Sequence, residues 1–192
     1  KLVSVKLEEK NGLTDFSKLD SEITNSAAII LANPNKYGNI EDYTQIQEKI
    51  KESKSLFILN HEPSSLALLK TPGELGADIA VGELQSLGVP LSYGGAYIGY
   101  LAAKNNLIRK MPGRICGITT DVDNKRAFVL TLQAREQHIR RTKANSNICS
   151  NQSLMALSCA IYLSSLGKQG FKDLAKLRLN GAHYLENELI KT

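Results

Sequence analysis

The chain has 192 residues, 42% of them apolar and 22% charged, which is typical of a globular protein with one sizeable core. No apolar run approaches the roughly 18 residues of a membrane-spanning helix, and no signal peptide is visible, so we expect neither membrane insertion nor export. The formal net charge of +5 favours acidic ligands without specifying them. Three cysteines fit no metal motif, and we interpret them as buried reduced thiols of a cytoplasmic protein.

Strand-like segments recur in the first eighty residues. Residues 1–7 (KLVSVKL) alternate apolar and polar side chains, which predicts a strand. Three further apolar runs end in loops, as buried parallel strands do: 26–35 (SAAIILANPN), 55–60 (SLFILN) and 77–82 (ADIAVG).

Helical segments separate these strands. Apolar side chains at helical spacing predict a helix over residues 39–53, capped by Asn39. Residues 64–69 (SSLALL) predict a shorter helix. Alternating strands and helices predict a mainly parallel sheet with flanking helices, whose ligands bind in the loops after the carboxyl ends of the strands.

The second half of the chain has a different pattern. Residues 96–103 predict a strand, and 116–132 predict a hairpin around a turn at Asp123 and Asn124. We interpret Asp121 and Asp123 as turn residues, because no further carboxylates follow at the spacing of cation ligands. Two amphipathic helices are predicted to follow, over 151–167 and 171–190.

We expect residues 1–150 to form a large-domain sheet with its helices and hairpin, and residues 151–192 to add C-terminal helices to the same domain. Because the sequence lacks an initiator methionine and begins as if within a fold, we expect it to be a fragment of a longer chain.

Residues 132–152 form the densest polar segment. Four cations lie within it, with His138 among them and four polar residues directly after them: Arg135, Arg140, Arg141, Lys143, Asn145, Ser146, Asn147 and Ser150. Arginine forks and free amides at a helix start suit phosphate or carboxylate. A solvated basic face and a nucleic-acid-binding surface are the alternatives, although the segment lacks the interleaved aromatic residues of a single-strand binder.

Three motifs occur in an order that resembles a known family. They are PGELGADIAVGELQSLGVPLSYGGAYIGYLA, KMPGRICGITTD and LQAREQHIRRTKANSNICSNQSLMA. Together they resemble glycine decarboxylase, the P-protein of the glycine cleavage system, and most closely its first subunit where the enzyme is split into two chains. The resemblance extends from about residue 28 to residue 190.

This resemblance implies an α/β fold with three layers and a mainly parallel sheet, the large domain of a pyridoxal-phosphate-dependent transferase of the aspartate aminotransferase type. It also implies an oxidoreductase complex of glycine catabolism. That complex decarboxylates glycine and transfers the aminomethyl group to the lipoyl group of the H-protein. The implied partners are subunit 2 of glycine decarboxylase and the H-protein, with no nucleic acid and no membrane.

The family pattern also locates the cofactor lysine. In the homologous second subunit this lysine ends a Ser-x-x-x-x-His-Lys-type stretch, shortly before an apolar-Pro step and a glycine run. Counting back from Pro90, its place falls at Gln85, and no lysine lies between Lys70 and Lys104. An amide cannot form a Schiff base. The aspartate expected to face the pyridinium is also replaced, by the sequence Asn60-His61-Glu62.

The resemblance therefore implies a subunit without a covalent role, inactive when isolated, with pyridoxal phosphate held by the partner subunit. We expect the following residues to line the active site or the interface between subunits: Ser92, Tyr93, Gly94, Gly95, Tyr97, Arg135, His138, Arg140, Arg141, Lys143, Ser146 and Asn147. The alternatives are a purely structural scaffold for the catalytic subunit and a basic nucleic-acid-binding domain.

Overall fold

The computed structural model describes residues 2–8, 10–132, 137–144 and 152–191. The chain divides into two compact units: Lys1–Ala102 with Leu154–Thr192, and Ala103–Ser153. The division of one domain into residues 1–150 and 151–192 stays a prediction.

The first unit is built on a four-stranded sheet with the order β1-β2-β3-β4. The strands are β1 Ala28–Asn33, β2 Leu56–His61, β3 Ile79–Glu83 and β4 Gly99–Ala103. β2 pairs in parallel with β1 on one side and with β3 on the other. The predicted mainly parallel sheet is confirmed, and the carboxyl ends of β1, β2 and β3 lie at the same edge.

One face of this sheet is covered by the main core. Helix α1, Asp20–Ile23, and helix α2, Thr44–Glu52, contribute apolar side chains to it. The ring of Tyr43 packs edge-on against Phe57 of β2, with 6.0 Å between ring centroids. Ile46 and Ile50 follow Tyr43 at helical spacing and are also buried, so the 3.6-residue periodicity of the sequence corresponds to the packed face of α2.

Two local predictions in this unit are wrong. Residues 2–7 form no strand, because their only pairing is an isolated bridge from Leu7 to Thr14. Asn39 does not cap α2; its side-chain amide instead donates to the carbonyl of Asn11, 3.1 Å away. The predicted short helix at 64–69 is confirmed as a 3₁₀ helix, Pro63–Ala67, which is capped by the side chain of Glu62.

The C-terminal helix α4, Ser153–Ile190, is interrupted at Gly167, whose φ of 60° and ψ of −173° are not helical. The prediction of two consecutive helices is therefore confirmed in substance. Cys159 of α4 is buried with Val89 and Ile98 in a second, smaller core cluster. This cluster attaches the first half of α4 to the segment that follows β3.

The second unit contains the predicted antiparallel hairpin, formed by β5 Ile115–Thr120 and β6 Arg126–Thr131. Asp121 accepts hydrogen bonds from the backbone N–H groups of Asp123 and Lys125, 2.9 Å away in both cases, which confirms that it is a turn residue. A short helix α3, Gln137–Arg140, follows. Cys116 of β5 is exposed, so the expectation of buried thiols is wrong for this residue.

No helix in the described part of the chain is long and apolar enough to cross a membrane. Within the same residues, no group of three or more His, Cys, Asp or Glu side chains is arranged to hold a metal ion.

Candidate functional site

A cavity of about 560 Å³ opens beside the loop that joins β3 to β4. Its lining is mostly apolar and aromatic, with two polar side chains among six residues: Gln85, Leu91, Ser92, Tyr93, Gly94 and Tyr97. The structure therefore brings Gln85, to which the sequence resemblance assigns the lysine position, into one cavity with four of the residues singled out from the sequence. Gln85 and the Ser-Tyr-Gly turn lie on the same loop at the carboxyl end of β3.

The turn that forms one wall of this cavity has an unusual backbone. Ser92 and Tyr93 have φ values of 41° and 54°, and Gly94 follows with 92°. The N–H groups of Gly94 and Gly95 both donate to the carbonyl of Leu91, at 3.0 and 2.8 Å. A Cβ on Gly95 would lie 2.6 Å from that of Ser92, so the turn requires glycine there. Left-handed conformations at two non-glycine residues are costly and are often found at functional sites.

The result of this backbone is an outward-pointing tyrosine. The side chain of Tyr93 is fully exposed, and Leu91 and Tyr97 are at least half exposed. Exposed aromatic and aliphatic side chains that lie together are enriched at binding surfaces. The cavity and its turn are therefore the candidate functional site of the first unit.

Glu83 fixes the start of the loop. Its Oε1 atom accepts hydrogen bonds from the N–H of Gln85 at 2.8 Å and from the N–H of Ile98 at 3.0 Å. The side-chain amide of Gln85 in turn donates to the carbonyl of Ala96, 3.3 Å away. One carboxylate thus holds the two ends of the cavity-forming loop together, and Gln85 adds a second link between them.

Helix α4 holds the same loop from another side. The hydroxyl of Ser158 donates to the carbonyl of Gly88 at 3.0 Å, and the thiol of Cys159 lies 3.7 Å from the carbonyl of Leu84. Further along α4, the guanidinium of Arg178 donates to the carbonyl of Ser86. Three carbonyls at alternate positions therefore face α4.

Glu62, directly after β2, connects this loop to the neighbouring strand. One carboxylate oxygen accepts from the hydroxyl of Ser86 at 2.9 Å and lies 3.9 Å from Arg178. The other accepts from the hydroxyl of Ser64 at 2.5 Å and from the N–H of Ser65 at 3.0 Å. Because both oxygens are engaged, Glu62 is an organising residue of the loop and not a free carboxylate.

The two other residues in place of the expected aspartate have different environments. Asn60 is exposed, whereas His61 is only 2% exposed. Nδ1 of His61 lies 2.8 Å from the carbonyl of Glu62. Its Nε2 is buried and, among the described residues, has no hydrogen-bond partner. Burial lowers the pKa of His61 below its ordinary value of 6.5, and this outweighs the opposite effect of Glu62.

The environment of His61 predicts a pH-dependent stability. Because the unfolded chain binds this proton more readily than the folded chain, the stabilisation by neutral His61 is complete above about pH 6.5 and is lost as pH falls below that value. We expect the urea midpoint of the full-length subunit to fall from pH 7 towards pH 5, because the unfolded chain then binds one more proton at His61 than the folded chain does. His61→Gln should reduce this dependence of the urea midpoint on pH, because it removes the buried group that takes up the proton. An equal dependence of the urea midpoint on pH in wild type and His61→Gln would contradict the role given to buried His61.

The basic segment lies in the second unit. Arg140 ends α3, and Arg141 and Lys143 belong to a 3₁₀ turn, with all three side chains exposed. His138 lies in α3. Arg135, Ser146 and Asn147 lie outside the described residues. The expectation that this segment shares a site with Tyr93 stays a prediction.

Sequence reasoning found the loop but missed the residues that hold it. Glu83 and Arg178 carry no signal of their own in the sequence, since each is a common charged residue in an ordinary stretch. The family pattern marks Glu62 only as part of the stretch that replaces the expected aspartate. Its position at the start of a 3₁₀ helix with Pro63 first, followed by two serines, was the one local signal of a capping carboxylate.

Comparison with known proteins identifies the family. A sequence model described as "Glycine cleavage system P-protein" matches residues 2–192. The chain belongs to this family. The probable glycine dehydrogenase (decarboxylating) subunit 1 of Desulforamulus reducens is 50% identical over 181 residues, which are 94% of this chain and 41% of that protein. The protein of the same description from Brevibacillus brevis is 51% identical over 180 residues, 93% of this chain and 40% of that protein.

A solved structure agrees with this assignment. The crystal structure of the glycine decarboxylase (P-protein) of the glycine cleavage system, in inhibitor-bound form, matches with a TM-score of 0.90 and 43% sequence identity. The match covers 100% of this chain and 43% of that chain. The fold class implied by the sequence resemblance, the large domain of a pyridoxal-phosphate-dependent transferase, is confirmed. This P-protein family chain spans less than half the length of the relatives that it matches.

Proposed function

We propose that this chain is part of the non-Schiff-base subunit of a glycine decarboxylase, and that its β3–β4 loop completes an active site whose cofactor the partner subunit holds. The observation that carries the proposal is the cavity in which Gln85 stands beside Tyr93 and Tyr97. In the proposed complex, glycine loses carbon dioxide and its aminomethyl group passes to the lipoyl group of the H-protein. Pyridoxal phosphate, when bound, supplies the electron sink for that decarboxylation.

The cavity does not fit covalent attachment of pyridoxal phosphate by this chain. None of its six lining residues carries an amine to bond the aldehyde, and none carries a cation to neutralise the phosphate. The polar groups that it offers are the carboxamide of Gln85 and hydroxyls. Such groups can orient a ligand through hydrogen bonds but cannot anchor this cofactor. We therefore assign the covalent role to subunit 2.

The exposed turn supports a role across an interface. Tyr93, Leu91 and Tyr97 present apolar surface with hydroxyl groups, a composition enriched where proteins bind one another. In the proposed complex these side chains exclude water from the partner's site and restrict the position of glycine. The exposed cations Arg140, Arg141 and Lys143 suit an acidic surface of the partner or of the H-protein. We propose separately that the complex works in the cytoplasm.

Reconstitution tests this proposal. The full-length subunit, its subunit 2 and their mixture are compared by the visible absorbance of bound cofactor and by glycine–bicarbonate exchange. We expect cofactor absorbance to require subunit 2, and exchange to require both chains. Lysine-linked cofactor absorbance from the full-length subunit alone would overturn the assignment. Full glycine–bicarbonate exchange by subunit 2 alone would favour the alternative that this chain is a purely structural scaffold.

A further inference from the structure

The Gln85 loop is held by a link between two distant parts of the chain. Arg178 lies on α4, 92 positions beyond Ser86, whose carbonyl accepts a hydrogen bond from its Nη2 atom. Its Nη1 atom lies 3.9 Å from Glu62, whose same carboxylate oxygen accepts from the hydroxyl of Ser86 at 2.9 Å. Arg178, Glu62 and Ser86 therefore form a closed triangle immediately beside Gln85.

This triangle includes both main-chain and side-chain atoms of Ser86. Its carbonyl is held by Arg178 and its hydroxyl by Glu62, so the residue after Gln85 is fixed at two points. On the other side of Gln85, the carbonyl of Leu84 lies 3.7 Å from the thiol of Cys159. With both chain neighbours held by other elements, the direction in which Gln85 leaves the backbone is restricted.

A guanidinium suits this position better than an ammonium would. Arg178 uses two nitrogens at once, one toward a carbonyl and one toward a carboxylate, and its planar fork fixes the angle between them. Lysine would retain the charge but offer a single nitrogen. The side chain of Arg178 is 35% exposed and Glu62 45%, so charge attraction alone contributes little, and the hydrogen-bond geometry dominates.

We propose that Arg178 is a positioning residue, which acts through Ser86 and Glu62 to direct Gln85 into the cavity beside Tyr93. This inference rests on the proposed function, because it assigns Arg178 its effect through the proposed site. It makes α4, far from the cavity in sequence, a determinant of how that cavity is shaped.

The first test needs neither cofactor nor activity. Hydrogen exchange of the full-length subunit is followed by mass spectrometry on peptides covering residues 83–98, in wild type, Arg178→Ala, Arg178→Lys and Lys172→Ala. We expect about tenfold faster exchange in these peptides for Arg178→Ala, with Arg178→Lys between that variant and wild type. Lys172→Ala removes the same charge from an exposed position of α4 and should leave them unchanged. Unchanged exchange in Arg178→Ala would overturn the proposal.

The second test is a double-mutant cycle in the complex with subunit 2. Gln85→Ala and Arg178→Ala are made singly and together, and glycine–bicarbonate exchange is measured. We expect each single change to lower the rate about tenfold, and the double change to lower it by little more than either, because both act through Gln85. If the double variant instead lost rate by the product of the two single fold-losses, Arg178 would act independently of Gln85, and the proposal would be overturned.

The cycle also separates this inference from the proposed function. If Gln85→Ala leaves the exchange rate unchanged, the proposed site itself fails, whatever Arg178→Ala does. If Gln85→Ala lowers the rate but Arg178→Ala does not, only the positioning role fails. Urea midpoints of all variants, compared with that of Lys172→Ala, show whether any loss of rate comes from unfolding.

Discussion

Tyr93→Ala is expected to lower glycine–bicarbonate exchange by the complex about 10- to 100-fold, while the stability of the full-length subunit changes by no more than about 0.5 kcal/mol. The side chain is fully exposed in this chain, so its loss leaves no hole in the core. In the proposed complex the same side chain meets the partner's site, where its removal admits water and loosens the substrate. Exchange assays and urea unfolding measure the two quantities separately.

Two matched variants show what part of Tyr93 is used. Tyr93→Phe retains the ring, so a loss of rate comparable to that of Tyr93→Ala would assign the effect to the hydroxyl. Tyr184→Ala removes another exposed tyrosine, on α4, and should leave the exchange rate unchanged. An unchanged rate in Tyr93→Ala would contradict the shared site and favour the scaffold alternative.

Gly88→Ala is expected to destabilise the full-length subunit by about 2–5 kcal/mol and to lower exchange by the complex. A Cβ at this position would lie 2.6 Å from the Cβ and 2.8 Å from the Cγ of Tyr162 on α4. These atoms are close to the helix backbone and cannot rotate away. Relief would therefore require the loop to move off α4, which breaks the hydrogen bond from Ser158 to the carbonyl of Gly88.

Gly94→Ala is the control for backbone strain alone. Gly94 has a φ of 92°, almost the same as the 93° of Gly88, but no atom lies within 4 Å of its missing Cβ. We expect a cost of about 1–2 kcal/mol for this change, measured as a shift in urea midpoint at constant slope. Equal destabilisation by the two variants would contradict the role given to the contact between Gly88 and Tyr162.

The sequence predicted the elements whose signal is local. The apolar runs before Pro34 and His61 are continuous and short, and both are strands of the parallel sheet. Residues 2–7 show an equally clear alternation, yet they form no strand, because a strand also needs a partner along its length. Periodicity reports which face is apolar, and it does not report whether a neighbour is present.

The candidate site was predictable where a family pattern marked it and not where distant contacts build it. The family pattern pointed to Gln85, and the dense turn chemistry after Pro90 marked the loop that bears Tyr93. The link from Arg178 to Ser86 joins residues 92 positions apart, and no local pattern distinguishes Arg178 from the other cations of α4. Its role follows only from the way α4 packs against the loop.

Reduction of the holoenzyme with borohydride, followed by peptide mapping of both subunits, tests the central claim most directly. Borohydride converts a lysine-bound cofactor into a permanent pyridoxyl label. We expect the label on a lysine of subunit 2 and on no peptide from residues 1–192 of this chain. A pyridoxyl group on any lysine of this segment would contradict the account.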